Sequence, residues 1–428
     1  MLALTITVLL LALLVIGVPV GFALAVAGAA GLYLMGGASL LLGILDTAPL
    51  SSASSYEIIS IPMFLLMAEF VILSGVADDL FRAAATWVGR VPGGLGIATA
   101  FAGAGFGAIS GSSTAAAATL SATTIPAMLK HGYEPKLACG VVAISGTLAM
   151  LIPPSIALVL YGLIADVSIG QLLVGGVIPG IIVTLTIAVT VLLLVWMDPS
   201  RAPRGRAYGW GEKIRALRVV GPMIALFGAV TGVIYLGVAT PTEASAIGAF
   251  GAMLLALKER RLSPAGLQRA LIAAAGTSCM IIMIILGAHI FGYFLTITQT
   301  THSIVAFVSS LETSRYVVLA CLFLMYILLG CVMDQVAILI LTVPIVLPVI
   351  KALGFDPIWF GVLIIVLAEV GLVTPPVGLN VFVVRRYTGR PLGEIFQGVM
   401  PHVVAHLLAV VLLTVFPGLV LWLPSTMR

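Results

Sequence analysis

Charge is what this sequence has least of. Only 8% of its 428 residues are Asp, Glu, Lys or Arg, where soluble globular chains carry about 25%. A water-facing surface cannot be built from so few. Cysteine is also sparse. Cys139, Cys279, Cys321 and Cys331 all fall in apolar segments and form no C-x-x-C pair. That excludes a disulfide framework or a zinc ribbon and leaves four small buried hydrophobes. The five histidines (His131, His289, His302, His402, His406) are scattered over loops and separate apolar runs. No HExxH, GxSxG or phosphate-binding loop is present, so nothing assembles a hydrolytic or metal-dependent enzyme. His402 and His406 are four apart, but two imidazoles without a nearby acid are weak evidence for a metal. A net charge of +4, spread over loops, gives no basic face for nucleic acid.

What is there is hydrocarbon. Apolar residues make up 61% of the chain and the mean hydropathy is +1.25. Runs of roughly 15–25 apolar residues recur throughout, without the alternating ten-residue segments of a barrel. The pattern predicts an all-α polytopic membrane protein. Crossings are expected near 2–16, 20–36, 57–79, 137–165, 172–197, 219–237, 241–257, 276–298, 358–384 and 396–423. The first has no basic region before it and no A-x-A site after it, and reads as a span rather than a cleaved signal. Stretches 92–128 and 315–350 are too long for one crossing and carry a polar break at mid-length. Each is expected to be a re-entrant hairpin.

Basic residues orient the chain. With the loop 198–218 (Arg201, Arg204, Arg206, Lys213, Arg215, Arg218) in the cytoplasm, seventeen Lys and Arg fall inside. Only Arg315, Lys351 and Arg428 fall outside, as the positive-inside rule requires. The charged stretch itself is expected to be a cytoplasmic surface helix linking two halves.

Those halves are related. At one ungapped offset of 222 residues, Pro126, Pro135, Pro153, Pro154 and Pro179 meet Pro348, Pro357, Pro375, Pro376 and Pro401. Gly132 and Gly176 meet Gly354 and Gly398. An odd number of crossings separates the copies, so the second is inverted, the pattern of secondary transporters with interrupted helices. The expected organisation is scaffold helices in 1–56, a first repeat in 57–197 with broken helix 137–165, a cytoplasmic linker in 198–218, scaffold helices and an arm in 219–275, and a second repeat in 276–428 with broken helix 358–384.

Four hydroxyls and a glycine, Ser110, Gly111, Ser112, Ser113 and Thr114, sit at the break of the first hairpin. Each Pro-Pro pair removes two backbone donors in mid-membrane and unwinds a turn. Freed carbonyls beside hydroxyls make a hard oxygen shell suited to an alkali cation. Two quasi-symmetric cation sites are expected. The first uses Ser110, Ser112 and Ser113 with the backbone of Gly146, Ala149, Met150 and Leu151. The second uses the backbone of Met333 and Gly371 with Thr374. An anion is expected between the tips, near Gly111, Thr114, Pro153, Pro154, Asp334, Pro375, Pro376, Gly378 and Asn380. Asp334 in an apolar stretch is the sharpest single residue, because a carboxylate at membrane depth is costly. Glu69 and Glu369 also lie in apolar runs. Glu243, beside Pro241, reads as a helix-start carboxylate. Arg385 and Arg386 read as anchors for lipid phosphate, with release-side attraction of an organic acid as the alternative.

The stretches "GAISGSSTA", "LIPPS", "PTEA", "GFDP" and above all "EVGLVTPPVGLNVFV" (369–383) resemble the large membrane subunit of tripartite ATP-independent periplasmic (TRAP) transporters, over essentially the whole chain. The resemblance implies an elevator-type transporter, with a fixed scaffold and a mobile unit of two re-entrant hairpins and two broken helices. It implies sodium ions as the coupling species, with no organic cofactor and no metal beyond sodium. It also implies an organic-acid substrate, such as a C4-dicarboxylate or a sialic acid. The implied partners are a small four-helix membrane subunit and a periplasmic substrate-binding protein, in a bacterial inner membrane. The family's hairpin and Pro-Pro residues map onto Ser110–Thr114 and Thr374–Asn380. Asp334, Glu69 and Glu369 keep a proton-coupled or binding-protein-independent relative open. A passive channel is disfavoured by the inverted repeat with two hairpins.

Overall fold

The computed structural model describes residues 2–310 and 313–427; Arg428, one of the three outer cations, lies outside the described residues. Among those described there is no strand. In chain order the helices are α1 (Leu2–Val15), α2 (Val20–Ala53), α3 (Ser60–Ser74), α4 (Val76–Val88), α5 (Gly94–Ser110), α6 (Ser113–Lys130) and α7 (Pro135–Thr147). They continue as α8 (Ile156–Ala165), α9 (Ile169–Gly175), α10 (Val177–Met197), α11 (Trp210–Tyr235), α12 (Pro241–Lys258), α13 (Pro264–Ile297) and α14 (Thr300–Ser310). The last six are α15 (Arg315–Gly330), α16 (Gln335–Ala352), α17 (Pro357–Gly371), α18 (Leu379–Thr388), α19 (Leu392–Val415) and α20 (Gly418–Ser425). Among the described residues, seven helical stretches are long and apolar enough to cross a membrane.

Local chemistry sets the starts. Pro135, Pro241, Pro264 and Pro357 each open a helix, where a missing N–H costs nothing. Glu243 closes a capping box: its carboxylate accepts from the Thr240 amide at 2.8 Å, and the Glu243 amide donates to Thr240 Oγ1 at 3.3 Å. That is the helix-start role expected of it.

Several boundaries differ from expectation. The crossing placed at 20–36 is the first half of α2, which kinks at Gly36 and Gly37 and continues to Ala53. The crossing at 276–298 is the second half of α13, a 34-residue helix about 51 Å long. The charged stretch is not a separate surface helix. It runs irregularly to Gly209, apart from a short turn at Pro199–Arg201, and its remainder forms the first turns of α11. Glu212 accepts from the Gly209 amide at 2.9 Å and caps α11 there, so Lys213, Arg215 and Arg218 ride on the first turns of α11, while Arg201, Arg204 and Arg206 precede it. The Ser200 hydroxyl at 2.6 Å, the Arg201 guanidinium at 3.2 Å and the Ser200 amide hold the Asp198 carboxyl below the usual range.

The two breaks expected in the long apolar stretches are present. α5 and α6 meet at Gly111–Ser112, and α15 and α16 meet across 331–334. Both Pro-Pro pairs lie between helix halves, and both bonds are cis.

The 222-residue offset holds element by element. α6 starts at Ser113 and α16 at Gln335; α7 starts at Pro135 and α17 at Pro357. Within the expected repeats α3 matches the end of α13, and α4 matches α14. The offset also extends into what the sequence pattern set apart as scaffold, where α2 matches α12 and the start of α13. The packing follows the same pairing: α2 lies on α13, and α3 lies on α12.

The copies are inverted. At one end, Glu134 donates its amide to Arg201 O at 2.7 Å, a Cβ on Gly205 would meet Gly89 O, and one on Gly398 would meet Lys136 O. The starts of α7 and α19 therefore share this end with the basic linker. At the other end, Tyr161 of α8 donates to Pro357 O at 2.7 Å, so α17 begins where α8 finishes. Tyr235 and Thr426 are also at this end, 3.1 Å apart. The centre is the pair α7 and α17. Every residue from Leu137 to Thr147 and from Trp359 to Gly371 is buried, which is why neither shows an amphipathic period.

Candidate functional site

The first hairpin tip is a small polar knot. Ser112 caps α6, accepting from the Ala115 amide at 3.4 Å, and its Oγ is 3.3 Å from Thr114 Oγ1. Ser110 donates to Ser112 O at 3.3 Å. Gly111 has φ +54, and a side chain there would strike Ile156 at the head of α8. A β-carbon fits neither this backbone nor this space.

Ser113, buried in the first turn of α6, leaves the hairpin and crosses to the other repeat. Its Oγ donates to Glu369 Oε2 at 3.2 Å and accepts from Asn380 Nδ2 at 2.9 Å. Asn380 Nδ2 also lies 3.3 Å from Ala143 O. Ser113 thus joins hairpin one to both halves of the second broken helix, and Asn380 extends the junction to α7. Glu369 and Asn380 are fully enclosed, 2% and 0% exposed, yet Glu369 Oε1 and Asn380 Oδ1 have no partner. Glu369 forms no ion pair among the described residues. A buried carboxylate without a counter-charge is costly unless a cation or proton neutralises it.

The second tip repeats the plan with different side chains. Gln335 stands at the offset position of Ser113 and donates Nε2 to Ile365 O at 3.3 Å. Ile365 is in turn the offset mate of Ala143, so matching carbonyls each accept a side-chain amide. Gln335 Oε1 is also unpartnered. Asp334 takes the cap position of Ser112, and the residue is exposed at the protein surface.

Hairpins and broken helices meet through backbone. A Cβ on Gly107 would fall 2.8 Å from Ala149 Cα, and one on Gly146 would fall 2.8 Å from Ala117 Cβ. A Cβ on Gly371 would fall 2.5 Å from Gly330 Cα. The elements carrying both expected cation sites are therefore in contact. Within them, some expected carbonyls already have a partner. Met150 O accepts from the Ser155 hydroxyl, and Gly371 O accepts from the Thr374 amide at 2.9 Å. Thr374 Oγ1 donates to Val370 O. A carbonyl has a second lone pair for a cation. Leu151 amide bonds to Leu148 O at 3.2 Å, Met333 amide to Leu329 O at 2.9 Å, and Gly378 amide to Cys331 O at 3.3 Å, which ties the second tip to its own Pro-Pro loop. The loops differ in exposure. Pro153 and Pro154 are buried; Pro375 and Pro376 are exposed.

Glu369, Gln335 and Ser145 stand outside the expected site set. Ser145 Oγ is buried and unpartnered. For Gln335 the signal was available, because it is the offset mate of Ser113. Glu369 was visible only as a carboxylate in an apolar run. His402 and His406 lie fully buried in α19, with His406 Nδ1 3.0 Å from His402 O.

Residues 7–419 match the family described as "Tripartite ATP-independent periplasmic transporter, DctM component". The chain is 35% identical over 379 residues to the C4-dicarboxylate TRAP transporter large permease protein DctM of Pseudomonas aeruginosa, covering 87% of each chain. It is 33% identical over 413 residues to the isethionate TRAP transporter permease protein DctMQ of Oleidesulfovibrio alaskensis, covering 94% of this chain and 63% of that protein's length. The sialic acid TRAP transporter large permease protein SiaM of Vibrio cholerae is 29% identical over 420 residues, covering 97% of this chain and 96% of its own. Among solved structures, Neisseria gonorrhoeae MtrF, described as an antimetabolite efflux pump, superposes with a TM-score of 0.66 at 14% identity, over 92% of this chain and 93% of its own. At that identity the likeness is one of fold.

Proposed function

This chain belongs to the DctM-component family of tripartite ATP-independent periplasmic transporters, and from that premise we propose that it imports an organic acid across a bacterial inner membrane, coupled to sodium, by an elevator movement. Membership places it as a multi-pass large permease subunit that works with a periplasmic binding protein and a small membrane subunit. It is a transporter component, not a catalyst. Relatives carry C4-dicarboxylate, sialic acid and isethionate in their names. Their common chemistry is a small acid, and this supports an organic acid here without choosing one.

The observation that carries the reading is the junction at Ser113. Hairpin one is bonded to both halves of the second broken helix, so an ion ordering that tip alters the Pro-Pro loop opposite it. Cations held by Ser110, Ser112, Thr374 and the broken-helix carbonyls would order the tips first. Their charge would then offset that of the acid bound between Gly111, Thr114, Asp334 and the loop Pro375–Asn380. α7, α17 and the two hairpins would move together against α2, α3, α12 and α13.

The test is uptake into proteoliposomes containing this chain with its small subunit and binding protein. An inward sodium gradient should drive accumulation, and a proton gradient at equal sodium should not. Accumulation that follows the proton gradient alone would overturn sodium coupling. A specific observation favours that second reading: Glu369 is buried with an unpartnered oxygen and no cationic side chain, as a proton-carrying carboxyl would be.

A further inference from the structure

One cavity lies beside the first hairpin tip, with Ala108, Ile152 and Pro153 in its lining, and does not reach the Ser113–Glu369–Asn380 junction. It measures about 970 Å³ and separates α11 from α5 and α10. α11 packs on α4, α9 and α12, but its face toward α5 and α10 stands off. The gap is visible in the glycines. Gly228 and Gly232 have the small-xxx-small spacing that ordinarily lets two membrane helices touch. Nevertheless a Cβ on either would find nothing within 4 Å. On the facing wall Ala104, Gly105 and Ala108 of α5 are equally small.

The lining runs along α11 from Leu217 to Tyr235, about 27 Å at ~1.5 Å per residue. That is close to the ~30 Å hydrocarbon thickness of a bilayer. Side chains on its walls are almost all aliphatic or aromatic. Its cytoplasmic end has a different character. Trp87, part of the lining, stands edge-on to Trp210 at 6.3 Å, and Lys213 Nζ lies 5.6 Å from one ring and 5.3 Å from the other. Arg206 is paired with Glu212 at 3.8 Å, which leaves the lysine without a carboxylate among the ion pairs of the described residues. Arg204, Arg215 and Arg218 add positive charge nearby in sequence. Two indoles and a lysine at the membrane–water boundary, above an apolar trough of bilayer depth, match an amphiphile with a negative head.

We propose that this cleft is a phospholipid site. Acyl chains from the cytoplasmic leaflet fill the space between α11 and α5, and Lys213 holds an anionic headgroup phosphate between Trp87 and Trp210. A lipid there separates α11 from α5 and α10 without a protein–protein seam. The assignment does not depend on which acid or ion is carried.

Native mass spectrometry of the full chain, purified in mild detergent and offered phosphatidylglycerol or phosphatidylcholine, tests it. The wild type should retain one phosphatidylglycerol at least about fivefold more than phosphatidylcholine. Lys213→Ala should retain both equally, because the chains still fit. The double variant Gly228→Leu, Gly232→Leu fills the cleft from open positions; it should retain neither while keeping the wild-type melting temperature without added lipid. Equal retention of the two lipids by the wild type would overturn the headgroup assignment. Undiminished retention by the double-leucine variant would overturn the cleft as the place where the chains bind. Protection of Gly228→Cys from maleimide by a co-purified small membrane protein, unchanged after lipid removal, would assign the cleft to that protein instead.

Discussion

Ser113 has two partners from the opposite repeat and is 2% exposed, so its hydroxyl is a structural hinge pin as much as a candidate ligand. Asn380→Ala removes the donor to both Ser113 Oγ and Ala143 O. It should lower stability by about 1–3 kcal/mol, the cost of leaving buried polar groups unpaired. A thermal unfolding scan in detergent reads this directly, and an unchanged midpoint would contradict the network. Because Ser113 and Asn380 share a bond, Ser113→Ala and Asn380→Ala together should cost less than their sum, by about 0.5 kcal/mol or more. Simple additivity would mean that the two side chains do not touch. Glu134 offers the contrast. Its ion pair with Arg201 at 3.6 Å is partly solvated, and the backbone bond between the same residues survives mutation. Glu134→Gln should therefore move stability by less than about 1 kcal/mol.

Among the elements, close backbone approach decides what can be changed. α7 and α19 cross where a Cβ on Gly398 would lie 2.0 Å from Lys136 O and one on Gly140 would lie 2.2 Å from Gly398 O. Gly398→Leu should cost more than about 3 kcal/mol, beyond ordinary overpacking, and should be seen as loss of folded monomer on size exclusion. Gly393 lies in the same helix with open space around it. Gly393→Ala should leave the protein intact or raise stability by about 0.5–1 kcal/mol. If both variants behaved alike, the crossing would not be where these glycines put it. Sequence spacing located the hairpin breaks and Pro-Pro loops because glycine, proline and hydroxyls interrupt apolar runs. It misplaced the ends of α2, α11 and α13, because a hydropathy window sees where lipid begins, not where backbone bonding stops.

At the scale of the molecule, the fold is two inverted copies whose outer helices exchange partners, α2 with α13 and α3 with α12. Between α13 and α16 lies a smaller cavity of about 230 Å³, lined by Tyr293 and Pro344. The proposed elevator movement would change this separation. Cysteines introduced at Tyr293 and Pro344 and joined by a short reducible cross-linker should stop uptake, and reduction should restore it. Full uptake in the cross-linked state would argue for a fixed arrangement of the two units.

Membrane residence, the inverted repeat, both hairpins and both interrupted helices were all legible in the chain. Each rests on a local rule: apolar length, basic-loop asymmetry, or proline and glycine recurring at a constant offset. Which side chains meet across the repeats was not. Ser113 and Glu369 are 256 positions apart, and no periodicity links a hydroxyl in one hairpin to a carboxylate in a helix buried on every face. The extension of the repeat into the outer helices was hidden as well, because two helices of one copy, α3 and the second half of α2, match one continuous helix of the other. Apolar composition also says nothing of how far apart two helices stand, and only packing in three dimensions opened the cleft beside α11.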